Sequence, residues 1–502
     1  MPQKTLLIIG AGVAGLAAGC YAQMNGWQSH IFELHNLPGG LCTAWTRKGY
    51  TFDGCIHYLF GSGEGQPYYQ LWRELGAVQE RPMIDHRVFM RVIDPDGTTL
   101  SAFTDPDELQ DHLLTLAPED ASALRGLAQG VRDFLRFDLS LLQMKPRRLM
   151  NAQDGVRVLA GMAPYLPVLV RWGMLSATDF AQRLRNPFLR RAFPHLFAWP
   201  DIPMMAGLSL LACMHTGNAG FPVGGSLEFA RAIERRYLAL GGQISYRAQV
   251  ERILVRDGRA VGVRLYDNQE VSGDAVISAA DGRATLFDML GGAHLPNVYR
   301  RIYDGRLPIH SQMQLSLGVN RDVSADPHWA TYLLPQPVTI AGEPRHEIGV
   351  KHYCFDPSLA PPGKSVLMTM IPTRHTYWQR IYGRRLYDTE QIQETEPVID
   401  FLAQRYPGLR AQIEVTDVAT PISYERFTGN WLGSTSGWLL TKQTMPLLMM
   451  GLPKTLPGLK NFYLAGQWVE PGGSVPLAAM SGRHAVQLLC ADHGQPFVAG
   501  EA

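Results

Sequence analysis

The 502-residue chain carries almost no excess charge: 46 Lys and Arg stand against 45 Asp and Glu, a formal net of +1. That excludes a global field for drawing in nucleic acid. Its six cysteines (Cys20, Cys42, Cys55, Cys213, Cys354 and Cys490) include no C-x-x-C pair and no metal-ligand spacing. A zinc module and a secreted disulfide scaffold are excluded, and buried thiols in a reducing compartment are expected. No stretch reaches the roughly 18 uninterrupted apolar residues of a membrane span. The nearest, residues 156–174, is broken by Arg157, Pro164, Pro167 and Arg171. Internal repeats and low-complexity tracts are missing as well.

What is present lies chiefly at the two ends. Thr5–Ile9 is a short apolar run suited to a parallel strand buried on both faces. Gly10, Gly12 and Gly15 follow as G-x-G-x-x-G, with Ala14 inside the motif. The first glycine permits a tight turn, the second a close pyrophosphate, and the third close packing of helix on strand. The spacing predicts a helix over residues 13–25, its N–H groups towards phosphate, and a strand at Gln28–Phe32. Glu33 then falls near the distance, about 20 residues, at which an acid binds ribose hydroxyls.

Beyond Glu33 comes LPGGLCTAW and then GYTFDGCIHYLFG. Here the chain resembles the flavin amine oxidase and phytoene desaturase superfamily. Gly39, Gly40, Thr43, Gly49, Phe52, Asp53 and Gly54 match its Gly-Gly-hydroxyl and Gly-aromatic-x-Phe-Asp segments. The usual Arg beside the glycine pair is replaced by Leu41, with Arg47 or Lys48 as substitute cations. The far segment, residues 461–490 (NFYLAGQWVEPGGSVPLAAMSGRHAVQLLC), matches the closing flavin motif of the same family. Residues 462–465 read as a strand and 477–489 as a helix with Pro476 in its first turn. The helix start is expected to face the flavin pyrimidine edge.

The resemblance implies an α/β protein: a discontinuous three-layer FAD-binding Rossmann-type domain and an α+β substrate domain with a mixed sheet and helices. The FAD domain is expected from residues 1–75, 222–295 and 455–494, and the substrate domain from 76–221 and 296–454. The implied cofactor is noncovalent FAD, since Cys490 lies late in the last helix. The implied contacts are Gly10, Gly12, Ala14, Gly15, Glu33, Gly40, Leu41, Val250 (adenine, through its backbone), Gly466, Gln467, Gly473 and Val475. The implied activity is desaturation, saturation or cis–trans isomerisation of a long apolar polyene or isoprenoid.

Glu470 and His57, the ionisable residues nearest the two motifs, are the catalytic candidates. Each also has a plainer reading, as a loop acid and a hydrogen-bonded core histidine. Tyr424, Trp431 and Trp438 read either as tunnel wall or as packing. No second dinucleotide fingerprint follows, so a quinone or oxygen is the expected electron acceptor. Residues 139–221 crowd aromatics, Met, Leu and Arg between prolines. They fit either a helical subdomain with its arginines in water or a membrane-facing surface that collects a lipid. A cytoplasmic protein, with peripheral membrane contact in the second case, is expected. Two rivals remain on this scaffold: an amine or porphyrinogen oxidase, and a prenyl-binding escort protein without redox chemistry.

Overall fold

The computed structural model describes residues 4–66, 68–137, 145–197, 199–384 and 386–500. Strand Thr5–Ile9 forms where its apolar run dictates, and both of its faces are covered. Leu6 and Ile8 join one buried cluster with the helices, while Leu7 and Ile9 join another beneath an antiparallel sheet. This two-residue alternation explains why the strand reads as continuously apolar.

Five parallel strands form the sheet, in the order Gln243–Ser245, Gln28–Phe32, Thr5–Ile9, Ala275–Ser278 and Phe462–Leu464. Three distant parts of the chain therefore lie side by side. Helices Val13–Met24, Gly225–Ala239 and Val475–Asp492 cover one face, and the sheet Val250–Arg256, Arg259–Leu265 and Glu270–Ser272 the other. Close approach needs glycine at two points. A Cβ on Gly15 would lie 1.9 Å from the Gly10 carbonyl oxygen, and one on Gly482 would lie 2.2 Å from that of Ala14. The second contact locks the last helix onto the first.

An eight-stranded mixed sheet forms the other half. Its path runs Ile413–Ala419, Ile309–Val319, Ser365–Pro372, Glu343–His352, Trp329–Ile340, Val88–Ile93 and Thr99–Phe103, and Ser434–Trp438 also pairs with Ile309–Val319. Trp378, Val398, Ile399 and Leu402 pack on one face against Leu315, Leu317, Ile348 and Val350. A separate helical cluster joins Pro106–Leu116, Ala121–Phe134 and Met204–His215.

Asp105 caps Pro106–Leu116, accepting from the N–H groups of Asp107 and Glu108. Tyr387–Gln393 and Glu396–Arg405 are separate helices, broken where Pro397 cannot donate to the preceding turn. The last helix begins two residues before its expected start, at Val475, and runs on to Asp492. Residues 139–144 of the aromatic and basic segment lie outside the described residues. Within it, Ala152–Met162 and Leu166–Trp172 are helical. Among the described residues no helix is long and apolar enough to cross a membrane.

Candidate functional site

The two glycine motifs at the start of the chain touch each other. The Gly39 N–H donates to the Ala11 carbonyl at 2.8 Å, and Gly12 and Gly39 form a parallel bridge. A Cβ on Gly40 would come within 3.3 Å of the Gly12 Cα. The two backbones thus meet with no side chain between them. Helix Val13–Met24 starts at this point, and Gly12 supplies no side-chain cap. An uncapped helix start lined by bare backbone suits a pyrophosphate.

These residues line a cavity of about 960 Å³. Gly10, Gly12, Ala14, Glu33, Gly40, Leu41, Val250, Gly466, Gln467, Gly473 and Val475 all border it. Gly15 does not, and its place is the helix–strand contact described above. Arg47 and Lys48 do not line it either. Arg47 lies 3.3 Å from Asp417, and Lys48 donates to the Glu414 carbonyl at 3.2 Å. Leu41 is therefore not replaced by a neighbouring cation.

Glu33 is buried, with Oε2 accepting from the Ala11 N–H at 2.6 Å and Oε1 from the His35 N–H at 2.8 Å. Burial raises its pKa, and those two N–H groups oppose the rise. The backbone thereby orients the carboxylate, leaving lone pairs for ribose hydroxyls. Asp281 borders the same cavity and accepts from the N–H groups of Ala284 and Trp431 at 2.8 and 2.9 Å. Burial lifts its pKa to about 6.

The closing motif is held from behind. The Gly472 N–H donates to the Trp438 carbonyl at 2.8 Å, and a Cβ on Gly473 would lie 1.9 Å from the Ser436 carbonyl oxygen. Ser474 caps the last helix, whose first residues Val475, Pro476 and Leu477 border the cavity. Trp438 and Trp431 pack with Tyr303 and Trp468 in mainly edge-to-face contacts, and Tyr424 donates to Gln314. None of Tyr424, Trp431 and Trp438 lines the cavity, so packing is their role.

Glu470 also lies outside the lining. Its carboxylate sits 2.6 Å from the Lys454 ammonium, with both side chains nearly buried. It fixes the loop ahead of the last helix and does not face the cavity. His57 does face it. Its Nδ1 lies 2.9 Å from Nζ of Lys351, a residue that sequence reasoning missed. The signal was the alternation in Glu343–His352: Val350 enters the cluster under the helices, while Arg345, Glu347, Gly349 and Lys351 line the cavity. Gly61 to Gly65, the other spaced glycines, form no long helix start. The Gly61 N–H is held by Asn218, and the next helix, Tyr69–Glu74, has six residues.

Away from the glycine motifs the lining is largely aromatic and aliphatic, with Tyr58, Phe89, Met90, Phe197, Trp199 and Trp329, and includes a few polar groups such as His195, Arg345 and Glu347. At about 960 Å³ the space lies at the upper end of the range for a ligand pocket, about 300–1,000 Å³. The glycine motifs fit a dinucleotide, and the aromatic and aliphatic lining fits an apolar molecule.

The sequence pattern of the family described as flavin containing amine oxidoreductase matches residues 13–490, and the chain belongs to that family. It is an FAD-dependent oxidoreductase. A prolycopene isomerase 1, chloroplastic, of an Oncidium hybrid cultivar is 24% identical, over 97% of this chain and 84% of that protein. A phytoene desaturase (lycopene-forming) of Pseudescherichia vulneris is 25% identical, over 97% and 99%. Among solved structures, cyclohexylamine oxidase from Brevibacterium oxydans shares the fold with a TM-score of 0.60 at 14% identity, covering 98% of this chain and 100% of its own. An oxidoreductase from Methanosarcina mazei does so with 0.57 at 17%, covering 96% and 100%.

Proposed function

We propose that this member of the flavin containing amine oxidoreductase family exchanges hydride with C–C or C=C bonds of a long apolar isoprenoid or polyene. The reaction class is desaturation, saturation or cis–trans isomerisation. One observation carries the reading: a single cavity joins the bare-backbone cradle to a wall of aromatic and aliphatic side chains. The isomerase and desaturase names of the relatives support it.

In this reading Gly12, Gly40 and the start of helix Val13–Met24 hold the pyrophosphate, Glu33 the ribose, and Val250 the adenine. Gly466, Gln467, Gly473 and Val475 hold the flavin end. The cofactor domain then comprises residues 1–75, 222–295 and 455–494. Bound FAD supplies the hydride acceptor or donor. The apolar wall excludes water and aligns a chain that offers no hydrogen bonds.

Net desaturation leaves electrons to be removed, and we assign them to a quinone or oxygen. An apolar substrate also has to be collected. Val156, Leu159, Val170 and Met174 are 61–79% exposed on and just beyond the helices Ala152–Met162 and Leu166–Trp172. Such a patch, with Arg157 and Arg171 beside it, suits the headgroup region of a bilayer. Binding to anionic vesicles that weakens with Val170→Glu supports that contact, and equal binding by both proteins contradicts it.

Anaerobic incubation with polyenes, from oxidised and from photoreduced enzyme, tests the reaction. Desaturation bleaches oxidised flavin, whereas isomerisation changes product geometry with no net colour change. An enzyme that leaves polyenes untouched but oxidises amines with peroxide release contradicts the reading.

A further inference from the structure

Lys351 is 2% exposed, yet it borders the cavity. Its amine lies 2.9 Å from His57 Nδ1, and His57 borders the cavity as well. The two arrive from separate places, Lys351 from strand Glu343–His352 and His57 from the loop after Tyr50–Asp53. Aromatic rings surround the amine: Tyr353 at 4.7 Å, Trp329 at 5.0 Å and Phe221 at 6.0 Å from their centroids. Trp329 is also the cross-strand partner of Lys351 and stands 5.0 Å from the His57 ring. Among the described residues no carboxylate lies within 4.0 Å of the amine.

A buried cation without an ion-pair partner is costly unless losing its proton is part of its task. Resting on the polyene reading, we propose that His57 and Lys351 form a proton relay in the cavity wall. His57 exchanges the proton with the substrate carbon, and Lys351 behind it takes up or returns that charge. His57 is the catalytic residue and Lys351 the positioning residue.

In the hydrogen-removing direction, His57 begins neutral, with Nδ1–H donating to the free amine of Lys351. The substrate C–H bond breaks, its proton goes to His57 Nε2, and its electron pair becomes the new C=C as hydride leaves the neighbouring carbon. The Nδ1 proton passes to Lys351 Nζ, leaving a neutral imidazole and an ammonium ion. In the hydrogen-adding direction the same transfers run backwards.

The surroundings favour a free amine. Burial lowers the Lys351 ammonium to about 7, with Asp53 partly opposing. Burial, then the Lys351 charge, holds His57 well below the ordinary imidazole range. Besides Asp53, which hydrogen-bonds to Ser226 and Cys55, and Tyr353, whose hydroxyl burial holds protonated, the titratable groups near Lys351 are the histidines His86, His328 and His352. Burial keeps each histidine below its ordinary value, so none competes as the acceptor.

The test is turnover of a polyene against pH by the FAD-loaded wild type, Lys351→Met, Lys351→Arg and His57→Gln, with ring-15N histidine spectra of each. Desaturation by wild type is expected to rise with pH to a plateau across about 7. Arg cannot release its proton at working pH. Lys351→Arg should therefore lose the rising limb and about a hundredfold in rate, while keeping its FAD. The His57 Nδ1 signal should follow the Lys351 titration in wild type and not in either lysine variant. If both lysine variants lose FAD, His57→Gln carries the kinetic test, with the same hundredfold loss expected. Unchanged pH profiles and spectra in variants that convert the polyene overturn the relay and leave the polyene reading intact. Wild type that holds FAD but converts no polyene at any pH overturns both.

Discussion

The cradle and the rest of the cavity wall are made of different material. The cradle is backbone from short motifs: Gly10 to Ala14, Gly39 to Leu41, and Gly472 to Val475. The wall is side chains gathered from far apart, with His57, Phe89, Phe197, Trp199, Trp329 and Lys351 meeting only in the folded chain. A cradle for phosphate and ribose recognises groups that never change, so its spacing is strict. A wall for an apolar chain needs only shape and dryness, which many side-chain sets can supply.

That contrast can be tested by breaking each part separately. The largest effect is expected from Gly15→Val, whose Cβ would meet the Gly10 carbonyl oxygen at 1.9 Å. A clash with backbone at that distance should cost well beyond the roughly 1–3 kcal/mol of ordinary core overpacking and approach the protein's whole stability. The variant should be colourless, or unfolded, by absorbance and circular dichroism.

Glu470→Ala sharpens the comparison because Glu470 neighbours the cradle in sequence without lining it. Leaving Lys454 buried and unpaired should cost about 3–5 kcal/mol in chemical denaturation. Turnover per bound flavin should stay unchanged, which separates this acid from a catalytic one. Glu33→Gln should act oppositely, weakening FAD binding about tenfold to a hundredfold, as expected for lost hydrogen bonds to a charged group. Equilibrium dialysis measures that loss.

A pH-dependent test concerns the wall. Lys351 holds its proton in the folded protein only below about 7, whereas an unfolded lysine keeps it to about 10.4. The unfolded chain therefore binds more protons between those values. Wild-type stability should rise with pH through that window relative to Lys351→Met, and the difference should be flat below it. Denaturation curves at several pH values for both proteins give the answer.

Reading the sequence alone reached the cradle because each of its motifs is contiguous along the chain. Thr5–Ile9, the glycines, the following helix and Glu33 occur in order, and Gln28–Phe32 matches residue for residue. The closing motif was legible for the same reason. Glu470 was misplaced because nearness in sequence to Gly472 says nothing of its ion pair with Lys454. Lys351 went unseen because its meaning depends on His57, 294 positions away along the chain. Trp431 and Trp438 show the limit of composition: an aromatic near a flavin motif reads the same whether it packs or lines.

The most direct test of one cavity holding FAD and polyene together is a titration of the oxidised, FAD-loaded protein with a polyene under anaerobic conditions. A saturable change in the flavin absorbance bands, reaching its end point at one polyene per flavin, is the expected result. Flavin bands that stay unmoved while the polyene binds elsewhere, or does not bind, would contradict the account.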